Sequence, residues 1–192
     1  MQAGVPQLRD DPEVMRGPLA IQPPGTLWTV GHSTLPIDDF IEMLSMHGIW
    51  RIADVRRFPG SRRFPQFGAD ALEKSLADSE IGYTPMPQLG GRRKASPDSP
   101  HTAWRNEAFR GYADYMDTAE FGDAAESLAA LARVEHVAIM CSEAVWWRCH
   151  RSMIADYFKA HEWQVLHIMG QGEATEHPYT PVAHITNGTL TY

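Results

Sequence analysis

A cysteine-rich framework, membrane-length apolar runs and the common nucleotide-binding loops are all missing from this chain. Two cysteines, Cys141 and Cys149, stand in 192 residues, too few for the framework of a small secreted fold. In a reducing compartment two thiols eight residues apart read as free, catalytic or metal-binding, with a disulfide kept as an alternative. No apolar stretch approaches the roughly eighteen residues of a membrane span, and no apolar leader segment opens the chain, so insertion and secretion are disfavoured and the cytoplasm is the expected location. Gly31-His32-Ser33 is too short for a dinucleotide fingerprint, and Gly90-Gly91 lacks the Lys-Ser/Thr that a Walker loop requires, so neither NAD nor ATP is implied. Excess positive charge is missing too: 17 Lys and Arg face 24 Asp and Glu, for a net charge of −7. That balance disfavours an anionic membrane or an extended nucleic-acid surface, while leaving room for a short single-stranded segment.

The length and a hydrophobic content of 43% suit one well-buried domain. Residues 1–24 carry five prolines and no hydrophobic period, and are read as a flexible arm ahead of a single domain over 25–192. Short apolar runs, Leu27-Trp28-Thr29-Val30, Ile49-Trp50-Arg51-Ile52-Ala53 and Val137-Ala138-Ile139-Met140, read as buried strands. A third strand is expected around Tyr83 and a fifth at Gln164-Val165-Leu166-His167-Ile168.

Helical stripes alternate with these runs. One follows Thr34, an N-cap candidate with Pro36 in the first turn; another follows the capping-box spacing of Asp70 and Glu73. Further helices are expected after Asn106, from about Gly122 to Arg133, and from about Cys149 to Ala160, with an irregular tail from Gly170. Such alternation predicts a three-layer, Rossmann-like α/β domain with a mainly parallel sheet of about five strands.

Chemistry-bearing residues follow three of the strands: Gly31-His32-Ser33, Asp54-Val55-Arg56-Arg57 and Cys141-Ser142-Glu143. Ligands of parallel α/β sheets bind beyond the carboxyl ends of the strands, so these segments are expected to meet at one site. These residues, with Ser61-Arg62, Leu89-Gly90-Gly91, Tyr112-Ala113-Asp114-Tyr115-Met116 and Cys149-His150-Arg151, resemble the family known as domain of unknown function 488 over roughly residues 27–168. The resemblance implies a shared site and adds Arg151 to the anion-binding candidates; it implies no particular reaction.

Cys141 is the candidate nucleophile, because a thiolate between a strand end and a helix N-terminus is stabilised by backbone N–H groups and arginine; a buried small hydrophobe is the duller account. Arg148 stands too far from Cys141, with no glycine between, for a phosphatase-type cradle. Cys141, Glu143, Cys149 and His150 also form a compact set of zinc or iron ligands, though without a Cys-x-x-Cys pair. His32, Glu143 and His150 are acid/base candidates, and Asp54 is either an acid/base group or the partner of a neighbouring arginine.

Arg56, Arg62 and Arg63 are expected to grip an anion, with Ser33 and Ser61 adding hydroxyl donors and Gly90-Gly91 letting the backbone approach a ligand. At most one of Trp146 and Trp147 is expected to face the pocket, and His101, His161, His177 and His184 are read as surface residues. Three functions remain open. The first is an enzyme acting on an anionic small molecule, a nucleotide or a nucleic-acid end; the second is a zinc or iron enzyme using the same cluster. The third is a nucleotide- or nucleic-acid-binding module without turnover.

Overall fold

A computed structural model describes residues 25–60, 63–186 and 189–192. The arm expected over 1–24 lies outside the described residues, as do Ser61 and Arg62. The elements in chain order are β1 (Thr26–Gly31), α1 (Ile37–Met46), β2 (Arg51–Asp54), α2 (Ala69–Ala77), β3 (Gly82–Pro85), α3 (Glu107–Met116), α4 (Ala119–Ala132), β4 (Val137–Cys141), α5 (Arg151–Ala160) and β5 (Gln164–Ile168). Three short strands follow, β6 (Thr175–Glu176), β7 (His184–Thr186) and β8 (Thr189–Thr191).

The central sheet has six strands in the order β3-β2-β4-β1-β5-β6, parallel except for the antiparallel edge strand β6. Five parallel strands are those expected, and the sixth is the short antiparallel edge. It comes from a tail read as irregular, in which β7 and β8 also pair into a separate ribbon. Helices on both faces explain why the inner strands read as continuous apolar runs. In β4, Val137, Ile139 and Cys141 face the cluster formed with α3, α4 and α5, while Ala138 and Met140 face the cluster formed with α1 and α2. The result is a three-layer, Rossmann-like α/β fold.

Local chemistry shifts several helix starts. Leu35 precedes a proline, which disfavours helical backbone there, and α1 begins at Ile37 with Pro36 rather than Thr34 at its cap. Gly68 precedes α2 and no capping box forms. Asn106 caps α3 as expected, its Oδ1 accepting from the Ala108 and Phe109 N–H groups. Thr118 caps α4, which therefore starts three residues before Gly122. Among the described residues no helix is long and apolar enough to cross a membrane.

One feature of the topology positions the site. Strands β1 and β4 are neighbours, yet β1 connects through α1 on one face and β4 through α5 on the other. The loops that follow them part, which opens a crevice beyond their carboxyl ends. Backbone bonds continue the pairing into that crevice, from the His32 N–H to the Cys141 carbonyl and from the Ser33 N–H to the Ser142 carbonyl, both at 3.1 Å.

Candidate active site

A cleft of about 830 Å³ occupies this crevice. His32, Ser33, Arg56, Arg63, Gly91, Cys141, Glu143 and His150 border it, so most of the residues singled out from sequence do meet there, and Cys149 joins them. Ser33 and Arg92 border it with left-handed backbone, at φ 47° and 60°.

Two free thiols form the floor. Cys141 Sγ lies 2.9 Å from Cys149 Sγ, and both residues are buried. Arg151, fully buried in the first turn of α5, donates from Nε to both sulfurs, at 3.1 Å to Cys141 and 3.2 Å to Cys149. Its backbone N–H also points at Cys149 Sγ, at 3.4 Å, and its Nη2 donates to the Glu143 carbonyl at 2.6 Å. Cys149 thus sits at a helix N-terminus with a guanidinium against it.

The two thiols are driven apart in acidity. Burial pushes Cys141 up, and its hydrogen bond with Cys149 adds to this. Burial alone would raise Cys149 as well, but the hydrogen bond from Cys141, the His150 ring and the charge of Arg151 together hold it well below the ordinary thiol range. The two directions make Cys149 the more acidic thiol of the pair.

Asp54 and Arg56 form a second buried unit. The carboxylate accepts from Arg56 Nε at 2.8 Å and from Nη2 at 2.5 Å, and it also accepts the Tyr83 hydroxyl at 2.7 Å. Arg56 Nη1 donates to the Phe67 carbonyl at 2.7 Å and approaches His32 Nε2 at 3.4 Å. Asp54 is therefore found as an arginine's partner, and Arg56 has its donors engaged within the protein. His32 stacks on Phe67 with ring centroids 4.0 Å apart. Burial, followed by the charge of Arg56, lowers its pKa to about 4, so the ring is neutral near pH 7.

The metal cluster expected of Cys141, Glu143, Cys149 and His150 is not assembled. Among the described residues no group of three or more His, Cys, Asp or Glu is arranged to hold a metal ion. Glu143 is exposed, with only its backbone carbonyl tied to Arg151, and His150 Nε2 is held by the Val55 carbonyl at 3.1 Å.

Other expectations are redistributed by packing. Arg151 lies beneath the sulfurs, not on the cleft wall, and Gly90 is packed against Arg57, whose Cβ would be 2.7 Å from a Cβ added there. Gly91 does face the cleft, where an added Cβ would meet His150 Nδ1 at 2.9 Å. Neither Trp146 nor Trp147 borders it; Trp146 stacks on His167 at 4.3 Å. Sequence reasoning placed Arg57 near the site without naming it as a binding residue, and missed Arg148 as a cleft residue; Arg92 borders the cleft as well. The run Arg56-Arg57 was the available signal for the first; Arg148 was legible only as the residue preceding Cys149.

Fold and floor together define a doubly wound α/β domain with a thiol-guanidinium centre at its topological switch point. The family model described as domain of unknown function DUF488 matches residues 36–158, more than half of the chain, and the protein belongs to that family. No curated protein and no solved structure matches it.

Proposed function

We propose that this protein is a thiolate-dependent transferase or hydrolase acting on a phosphate-bearing small molecule, with Cys149 as its nucleophile. The observation that carries this reading is the position of Cys149 Sγ at the N-terminus of α5, where it accepts from the Arg151 backbone N–H at 3.4 Å and shares the Arg151 Nε donor with Cys141. A thiolate bordering a cleft needs such partners, and a helix N-terminus beside a guanidinium is a setting that lowers a thiol's pKa. The proposal moves the nucleophile from Cys141 to Cys149. Cys141 becomes the thiol that donates to it, and His150, held by Val55 beside Cys149, is placed to exchange protons with substrate or leaving group.

Substrate class follows from the cleft wall. Arg57, Arg63, Arg92 and Arg148 border it, none with an acidic partner among the described residues, and Glu143 is the one acidic residue on the wall. Four guanidinium groups around one opening suit a phosphate, and a local anion site agrees with a protein whose net charge is −7. Phe58 at the same opening is 65% exposed, with the Arg57 guanidinium 5.7 Å from its ring centre. An exposed ring beside phosphate-binding groups favours a nucleotide among phosphorylated small molecules.

A reducing cytoplasm, the expected location, keeps both thiols available. The test is a screen of nucleotides and other phosphomonoesters against the wild type and Cys149→Ser. Turnover lost in the variant with binding retained is the expected result. Turnover unchanged in Cys149→Ser overturns the thiolate mechanism, and binding without turnover in either protein points to a binding module.

A further inference from the structure

We propose that Cys141 and Cys149 form a hydroperoxide-reactive dithiol, in which Cys149 takes the oxidant's oxygen and Cys141 resolves the product to a disulfide. The reading shares with the proposed function only the identity of the thiolate. It stands on geometry: two free sulfurs 2.9 Å apart on the floor of a cleft of about 830 Å³. A disulfide brings sulfurs to about 2.05 Å, so less than about 1 Å of approach separates the reduced pair from the bridged one. Arg151 Nε already holds the two together by donating to both. Ser142 to Val145 and Arg148, from the segment between them, line the cleft, and both cysteines border it, so a small oxidant reaches the sulfurs from the side on which substrate would bind.

The chemistry balances with a hydroperoxide as the named oxidant. The Cys149 thiolate attacks the distal oxygen; an S–O bond forms, the O–O bond breaks, and the departing alkoxide takes a proton from water to become the alcohol. Cys141 sulfur then attacks Cys149 sulfur. The S–S bond forms as the S–O bond breaks, and the hydroxyl leaves with the Cys141 proton as water. Two thiols lose two electrons, and the hydroperoxide is reduced to an alcohol and water.

A thiolate without a resolving partner proceeds under the same oxidant to irreversible sulfinic and sulfonic acids. Cys141 is placed to stop that progression. The bridged state also withdraws Cys149 from nucleophilic chemistry until a thiol reductant restores it.

The two cysteines are the only ones in the chain, so an intramolecular bridge has a single assignment. The full chain, reduced and then freed of reductant, is exposed to a limiting dose of hydrogen peroxide, quenched with iodoacetamide and weighed intact. The wild type is expected to lose the mass of two hydrogens, to resist alkylation and to recover with dithiothreitol. Cys141→Ser is expected to gain oxygen at Cys149 instead, and Cys149→Ser to remain reduced and alkylated at the same dose.

A wild type that gains oxygen without bridging, or that stays fully alkylated, overturns the proposal. So does a Cys149→Ser variant that oxidises as fast as Cys141→Ser. Thermal melts of the reduced variants check their folding, and the wild-type measurement decides the matter even where a variant fails to fold. Mass is read independently of turnover, so a disulfide that forms while Cys149→Ser retains activity separates this inference from the proposed function.

Discussion

The Asp54 carboxylate and the Arg56 guanidinium meet in two parallel contacts, 2.8 and 2.5 Å long, with side chains 1% and 7% exposed. The pair is a support that fixes the loop after β2 from behind. Removing one partner strands a buried charge, and such losses cost about 3–5 kcal/mol. Asp54→Ala is therefore expected to lower the unfolding free energy by about that amount in urea titrations. The exposed pair between Arg133 and Glu126 supplies the contrast, since Glu126→Ala is expected to cost less than about 1 kcal/mol.

Gly31, the last residue of β1, admits no side chain. An added Cβ would overlap the Glu143 carbonyl and lie 2.8 Å from Arg151 Nη2. Backbone cannot swing aside as a side-chain tip can, so Gly31→Ala must displace the carbonyl that anchors Arg151. Stability is expected to fall by about 1–3 kcal/mol. Cys149 alkylation at neutral pH is expected to slow in parallel, because the guanidinium shifts from the sulfurs. Gly122→Ala, in α4 with open space around the new methyl, is expected to stabilise by about 0.5–1 kcal/mol.

Acid is expected to weaken the fold through two buried histidines. Burial, with the charge of Arg56, holds His32 at about 4; burial, with His177 and then Arg151, holds His167 at about 3. Both rings stay neutral in the folded chain while the unfolded chain protonates them at about 6.5. Unfolding therefore takes up protons between these limits. Stability is full above about pH 6.5 and declines as pH falls toward 4 and then 3. Urea midpoints at a series of pH values measure this, and His32→Gln is expected to flatten the upper part of the decline. A wild-type midpoint that is level from pH 7 to 4.5 contradicts the argument.

Much of the site's location was legible in the sequence because buried parallel strands leave apolar runs, and the residues after those runs must gather at one edge. Cys141, His32 and Arg56 were found that way. The pairing of Asp54 with a neighbouring arginine was one of two readings open, and the structure selects it. The contacts of His32 with Phe67 and of Tyr83 with Asp54 were not legible, because contacts between residues distant in sequence leave no period to read. Arg151 looked like a ligand arm until its Nε was seen on the sulfurs. His101 and His177, read as surface residues, are 5% and 0% exposed. His101 is paired with Asp117 at 2.9 Å, and His177 belongs to a polar chain inside the core. The tail looked irregular for the same reason: it is held by side-chain contacts to Asp156 as much as by strand pairing.

That polar chain carries the last prediction. Asp156, fully buried in α5, accepts from His177 Nε2 at 2.9 Å, the Thr180 N–H at 2.8 Å, Thr180 Oγ1 at 2.6 Å and the Tyr192 hydroxyl at 3.0 Å. With His177 donating from Nε2, its Nδ1 accepts from His167 Nε2 at 2.8 Å, and His167 Nδ1 accepts the Thr29 hydroxyl at 2.7 Å. One proton order thus satisfies every member from β1 to the tail, and the contacts from His177, Thr180 and Tyr192 fasten the tail to α5. Tyr192→Phe removes one of the four donors and is expected to cost about 1–2 kcal/mol. Asp156→Ala leaves His177, Thr180 and Tyr192 without their acceptor. In hydrogen exchange the amides of 175–186, including the His177 N–H bonded to the Val165 carbonyl, are expected to lose protection while β4 keeps its own. Equal loss of protection in β4 and the tail would show that Asp156 supports the whole core, not the attachment of its last segment.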